Sequence, residues 1–99
     1  MAPLRGQVWA VAGHDPRTVL VISGNMYNGL PDWLYVLAMD VVTDASAAPA
    51  TVGIGDGRYV LVDSIGRLPK RIFADQVGQI DRQALADVDN WLFKILATS

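Results

Sequence analysis

The chain has 99 residues, of which 52% are hydrophobic and none is cysteine. A chain of this length buries one core, so residues 1–99 are expected to form a single domain without disulfides or thiolate metal sites. The formal net charge of −2 excludes a general attraction to nucleic acid, and any nucleic-acid site must therefore be a local basic groove.

No stretch of the sequence predicts a membrane segment. Residues 1–6 lack the apolar run of a signal peptide, and no run approaches the about 20 apolar residues that cross a bilayer. The sequence therefore predicts a soluble protein of the cytoplasm.

The first two thirds of the chain predict β-strands, because short β-branched runs alternate with Gly, Pro, Asn and Asp. The Val-Leu-Val-Ile run within 18–23 indicates a strand that is covered on both faces. The predicted elements are strands over 7–12 and 18–23, a helical turn over 25–28, a long central strand over 33–42, a loop over 44–49, a hairpin of 50–54 with 58–62, and a strand over 64–68.

Beyond Gln79 the apolar residues recur at spacings of three and four, which predicts an amphipathic helix. Asp81 can cap its first turn, and Asp87 and Asp89 fall on its outer side. The helix is expected to lie across the sheet and to close one side of the core. Its apolar positions are Leu85, Val88, Leu92 and Ile95.

Three stretches, taken in chain order, carry a family resemblance. The first is RGQVW at 5–9, followed by RTVLVIS at 17–23 and MYN at 26–28; the second is the strand that ends VVT at 41–43; the third is DSIGRL at 63–68, followed by VGQI at 77–80. Together they resemble the MazF/Kid family, the PemK-like endoribonucleases of type II toxin–antitoxin systems. The resemblance covers most of the chain.

This resemblance implies an α+β, mostly β fold: a small SH3-like antiparallel β-barrel with a C-terminal helix. It also implies a homodimer that cleaves single-stranded RNA with a sequence preference, without a metal or other cofactor, and that a cognate MazE-like antitoxin neutralises. The chain departs from the family pattern at two strand positions, where Thr18 and Asp40 stand in place of common prolines, and the turn before Arg17 is short.

Metal-free RNA cleavage needs a base for the ribose 2′-OH, an acid for the leaving 5′-oxygen and a cation for the charged phosphorane. Arg17 is the predicted cation, because a guanidinium can contact two phosphate oxygens at once and because Arg17 matches the family's catalytic arginine. The resemblance implies that Thr43 orients the scissile phosphate and that Asp63 and His14 take part in cleavage. A solvated arginine, a strand-end threonine, a structural aspartate and an exposed turn histidine are the alternatives.

A second group of residues is predicted to bind RNA. Its members are Ser23, Tyr27, Arg67, Lys70 and Arg71. Tyr27 lies in a polar segment and can stack on a base, whereas Trp9 and Trp33 are interpreted as core residues. The basic cluster can steer RNA, although a solvated surface turn accounts for it as well.

The sequence also permits two other functions. A CcdB-like toxin of similar fold acts by trapping DNA gyrase, but the tail at 94–99 differs from the tail of that family. A barrel that binds a partner without cleaving RNA is the other, and Asp40 in place of a proline suggests it.

Overall fold

The computed structural model describes residues 2–13, 17–44 and 49–97. Within these ranges the chain forms seven β-strands, two α-helices and two 3₁₀ turns. In chain order these are β1 (Gln7–Val11), β2 (Arg17–Val21), α1 (Asn25–Asn28), β3 (Tyr35–Val42), β4 (Thr51–Gly55), β5 (Arg58–Leu61), a 3₁₀ turn (Val62–Ser64), β6 (Gly66–Pro69), a 3₁₀ turn (Lys70–Ile72), β7 (Phe73–Gln79) and α2 (Arg82–Ala97).

All strands pair antiparallel in one sheet, in the order β4-β5-β3-β2-β1-β7, and β6 pairs separately with β3. The predicted long strand is indeed central, because β3 pairs with β2, β5 and β6. The prediction of a barrel holds only loosely. Hydrogen bonds do not close the sheet, since β6 and β7 are joined by a 3₁₀ turn and do not pair with each other.

Alternating side chains of the sheet form two buried clusters, one on each face. The larger cluster contains Val8, Leu20 and Met39, all fully buried. The smaller cluster, on the other face, contains Val11, Val19 and Ala38. β2 therefore contributes to both clusters, and its residues 19–21 are all buried, which confirms a strand covered on both faces.

Helix α2 packs on the face of the larger cluster, as expected. Ala84 and Val88 are buried in that cluster, and the Asp81 carboxylate accepts a hydrogen bond from the Ala84 N–H at 2.7 Å, which caps the first turn. The predicted apolar stripe does not stay buried to its end. Its last member, Ile95, is 38% exposed, because the last turn lies beyond the core that the rest of the helix covers.

The strand boundaries differ from the prediction by one or two residues, and one strand is additional. Ser64 belongs to a 3₁₀ turn and not to the strand predicted over 64–68, and that strand begins instead at Gly66. The strand β7 had not been predicted; most of its residues are exposed, so it lacks the alternation that marks a half-buried strand. No helix in the described ranges is long and apolar enough to cross a membrane.

Candidate functional site

Arg17 is the first residue of β2 and points to the face of the smaller cluster. Its partner in the described structure is Asp40 of β3, with 3.5 Å between Arg17 Nε and Asp40 Oδ1. The register explains this contact. Val19 pairs with Asp40, so Arg17, two residues before Val19, lies diagonally across from Asp40 on the same face. About half of the Arg17 side chain remains exposed, which leaves it accessible to a ligand.

Thr43 lies at the same end of the sheet as Arg17. Extending the pairing of β2 with β3 by one residue places Arg17 opposite Val42, the last residue of β3. Thr43 follows directly in an exposed bend. Two of the four predicted catalytic residues are therefore neighbours at one exposed end of the sheet.

Asp63 lies on the other side of Asp40 from Arg17. The 3₁₀ turn that carries Asp63 is fixed to β3 through its neighbour Ser64, whose hydroxyl accepts a hydrogen bond from the Asp40 N–H at 2.7 Å and donates one to the Leu61 carbonyl at 2.7 Å. The Asp63 side chain is exposed and is not held by a bond to any other described residue. The Asp63 carboxylate is therefore accessible to a ligand.

His14, in the turn before Arg17, lies outside the described residues, and its role in cleavage stays a prediction. The middle of the loop predicted over 44–49 also lies outside the described residues. Among the residues that are described, no three His, Asp or Glu side chains converge as a metal site would require.

The predicted RNA-binding residues lie elsewhere, near the start of β3. Three aromatic rings form an edge-to-face series in which Tyr27 and Trp33 are 5.6 Å apart and Trp33 and Tyr35 are 5.9 Å apart, between ring centroids. The Arg67 guanidinium lies 4.2 Å from the centroid of the Tyr35 ring. We call Tyr27, Trp33, Tyr35 and Arg67 the aromatic platform.

Two other predicted basic residues lie beside this platform. Lys70 follows β6 and donates its backbone N–H to the Leu34 carbonyl at 2.8 Å, and Arg71 is exposed next to it. The platform and the Arg17 end are separate. Arg67 pairs with Leu37, and the five steps along β3 from Leu37 to Val42 span about 17 Å.

Ser23 is the predicted RNA-binding residue that the structure buries. Ser23 is 7% exposed, and its hydroxyl donates a hydrogen bond to Asn28 Oδ1. The Ser23 hydroxyl oxygen also accepts a hydrogen bond from the Leu37 N–H at 3.0 Å. Asn28, which is fully buried, also donates to the carbonyls of Pro3 and Ser23 at 3.0 Å each. Contact between Ser23 and RNA stays a prediction, and it would require this network to open.

Trp33 and Asp40 were not identified from the sequence as residues of the candidate site. Trp33 is interpreted from the sequence as a core residue, but it is 36% exposed. The turn before Trp33 was the available signal, since a residue beside a turn is seldom covered on all sides. Asp40 was recognised only as a departure from the family pattern. Its contact with Arg17 depends on a strand register that the sequence does not specify.

The family described as PemK-like, MazF-like toxin of type II toxin-antitoxin system matches residues 4–96. A sequence search of curated proteins gave no match. Nothing among the matches supports the CcdB-like alternative.

Solved structures match over the full length of the chain. An endoribonuclease from Mycobacterial species, in complex with its cognate antitoxin, has a TM-score of 0.85 at 27% identity, covering 99% of this chain and 98% of that chain. A MazE-MazF structure from Deinococcus radiodurans has a TM-score of 0.80 at 28% identity, covering 100% and 99%. A structure of MazF from the same organism has a TM-score of 0.79 at 29% identity, covering 99% of each chain.

Proposed function

Because the chain belongs to the PemK-like, MazF-like family of toxins of type II toxin–antitoxin systems, we propose that it is an endoribonuclease that cuts single-stranded RNA without a metal. The family match confirms the resemblance found in the sequence. One observation carries the proposed activity: Arg17 stands half exposed beside Thr43 at one end of the sheet. The structural similarity to endoribonucleases supports it as well.

In the proposed reaction the ribose 2′-oxygen attacks the adjacent phosphorus and the bond from phosphorus to the 5′-oxygen breaks. The 2′-OH proton passes to a base, and the leaving 5′-oxygen receives a proton from an acid. The products are a 2′,3′-cyclic phosphate and a 5′-hydroxyl. Arg17 stabilises the charged phosphorane with its guanidinium, and Thr43 orients the phosphate. Asp63 and His14 are the proposed groups for proton transfer.

The experiment that tests this function uses purified protein, a chelator and a set of single-stranded RNAs of varied sequence. We expect cleavage at particular sequences, with a cyclic phosphate detected by mass spectrometry on the 5′ fragment. DNA of the same sequence is the control and should stay whole, because it lacks the attacking 2′-OH. If all RNAs survive, the chain is a non-cleaving barrel that binds a partner.

We also propose that the aromatic platform binds bases of the RNA. Its rings are arranged edge to face, so one ring presents its face where the next presents its edge, and the partly exposed Trp33 lies at its centre. Stacking on aromatic rings tolerates different bases, and nearby cations attract the phosphates. Lys70 and Arg71 supply such cations beside the platform.

Replacing Trp33 with alanine tests the platform. Loss of stacking on one base costs about 1–3 kcal/mol, so we expect RNA affinity to fall by about 5- to 150-fold. The measurement is fluorescence anisotropy with a labelled 2′-deoxy-substituted oligonucleotide that cannot be cut. Met26→Ala is the matched control in α1, next to Tyr27 in the chain, since Met26 is 88% exposed but has no aromatic face. Equal losses in both variants would contradict stacking.

We also propose that the chain has an antitoxin partner, forms a homodimer and is located in the cytoplasm. The structures of similar toxins with an antitoxin support a MazE-like antitoxin as partner. The proposed homodimer would cover apolar side chains that are exposed in one protomer, such as Phe93 at 73% and Leu96 at 75%. The proposed location is the cytoplasm, where RNA and a newly made antitoxin are both present.

A further inference from the structure

The contact between Arg17 and Asp40 gives the proposed cation a fixed acidic neighbour. The shortest approach, 3.5 Å, joins Asp40 Oδ1 to Arg17 Nε and not to a terminal Nη group. Both side chains are partly exposed, Arg17 by 49% and Asp40 by 36%. An ion pair whose shortest approach is to Nε favours one orientation of the guanidinium, and it leaves the Nη groups for a bidentate contact with a phosphate.

The backbone of Asp40 is itself held on both sides. Asp40 pairs with Val19 across β2 and β3, and its N–H donates to Ser64 Oγ in the 3₁₀ turn. Proline has no N–H and could not make the second bond. The carboxylate therefore projects from a rigid central strand, which is the kind of support that keeps a functional side chain in place.

The same carboxylate also has an electrostatic cost for RNA binding. Beside Arg17 it cancels most of the unit positive charge that the phosphate would meet, and it repels the phosphate itself. The formal net charge of the chain is already −2, so no excess of positive charge elsewhere compensates for this.

Building on the proposed nuclease function, we propose that Asp40 is a positioning residue for Arg17. It orients the guanidinium through Nε, which favours turnover, and it weakens the attraction of the site for RNA. Two substitutions separate these effects. Asp40→Asn removes the charge but keeps an oxygen acceptor for Nε, whereas Asp40→Ala removes both.

The kinetic test measures kcat and KM for a single-stranded RNA over a range of salt concentrations. For Asp40→Asn we expect kcat within about 1.5-fold of wild type, a lower KM, and a slope of log KM against log salt that is steeper by about 0.7, as for one additional phosphate contact. For Asp40→Ala we expect the same fall in KM but a kcat lower by about 3- to 5-fold, because a partly exposed ion pair contributes no more than that to holding the guanidinium in place.

Asp87→Asn is the matched control for the loss of one negative charge. Asp87 lies on α2, which packs on the other face of the sheet. Its Oδ1 accepts a hydrogen bond from Gln83 Nε2, and asparagine keeps this oxygen. It should alter neither kcat nor KM. A large loss of kcat in Asp40→Asn would show that Asp40 itself transfers a proton, and unchanged kcat in Asp40→Ala would show that it positions nothing. Either result overturns the proposal.

A measurement without RNA separates this proposal from the nuclease function. By NMR, the Arg17 Nε–H proton should exchange with water more slowly in wild type and Asp40→Asn than in Asp40→Ala. Equal exchange in all three proteins would overturn the proposed positioning, whether or not the protein cuts RNA. If the Arg17 Nε–H proton exchanges slowly in a wild-type protein that does not cut RNA, only the proposed nuclease function is contradicted.

Discussion

Replacing Arg17 with alanine is expected to lower kcat for RNA cleavage by about 100- to 1,000-fold, the usual cost of removing one group that stabilises charge in the transition state. The stability of the fold should hardly change. Arg17 and Asp40 form a partly exposed ion pair, and such pairs contribute about 1 kcal/mol or less. Single-turnover cleavage and urea unfolding, measured on the same preparations, check the two halves of this prediction.

Two other variants complete this test. Arg17→Lys keeps the positive charge but loses the planar fork, so its cleavage rate should lie between those of wild type and Arg17→Ala. Arg82→Ala removes an exposed arginine from the first turn of α2 and should cleave at the wild-type rate. If Arg17→Ala retains wild-type kcat, Arg17 is a solvated residue at the start of a strand and the proposed cation must be sought elsewhere.

The second large effect is expected on stability, at Asn28. This residue is fully buried and bonds to the Ser23 hydroxyl and to the carbonyls of Pro3 and Ser23. Asn28→Ala leaves those groups unsatisfied in the interior, and we expect the free energy of unfolding to fall by about 3 kcal/mol. Urea unfolding followed by circular dichroism measures this change.

Asn25→Ala is the matched control from the same helix. Asn25 accepts one hydrogen bond from the Arg5 N–H at 2.7 Å and is exposed, so water can replace the lost partner. The expected loss is about 1 kcal/mol or less. An equal loss in the two variants would contradict the special role that we assign to the buried amide.

The elements with strong local signals were predictable. The helix α2 has a capping aspartate and apolar residues at helical spacing, and β2 has a continuous apolar run. In both, local preference and burial agree. The hairpin of β4 and β5 was also predictable, because glycines mark its turn. Gly55 and Gly57 adopt positive φ angles of 96° and 71° there, which glycine tolerates without steric cost.

What could not be predicted depends on contacts between distant parts of the chain. The strand β7 is stabilised by pairing with β1 and not by its own pattern, since its sequence does not alternate apolar and polar residues. The incomplete closure of the barrel has a similar origin. It depends on the 3₁₀ turn Lys70–Ile72, which carries the chain from β6 to β7 without pairing them.

The candidate site was predictable as a set of residues but not as an arrangement. The family pattern pointed to Arg17 and Thr43, and the register of β2 with β3 brings them to one end of the sheet. That the platform residues gather at the opposite end of β3 follows only from the turns before Trp33 and after β6. The ion pair between Asp40 and Arg17 could be recognised only from the register of the two strands.

The separation of the two regions bears on the shortest RNA that could contact both in one protomer. Arg67 pairs with Leu37, which packs against the larger cluster, whereas Arg17 lies on the face of the smaller cluster, so the path between them exceeds the about 17 Å measured along β3. A fragment shorter than this can reach Arg17 but gains no affinity from stacking on the proposed platform. The KM for cleavage is therefore expected to fall once the RNA exceeds a threshold length, and the dimensions of the sheet set that threshold.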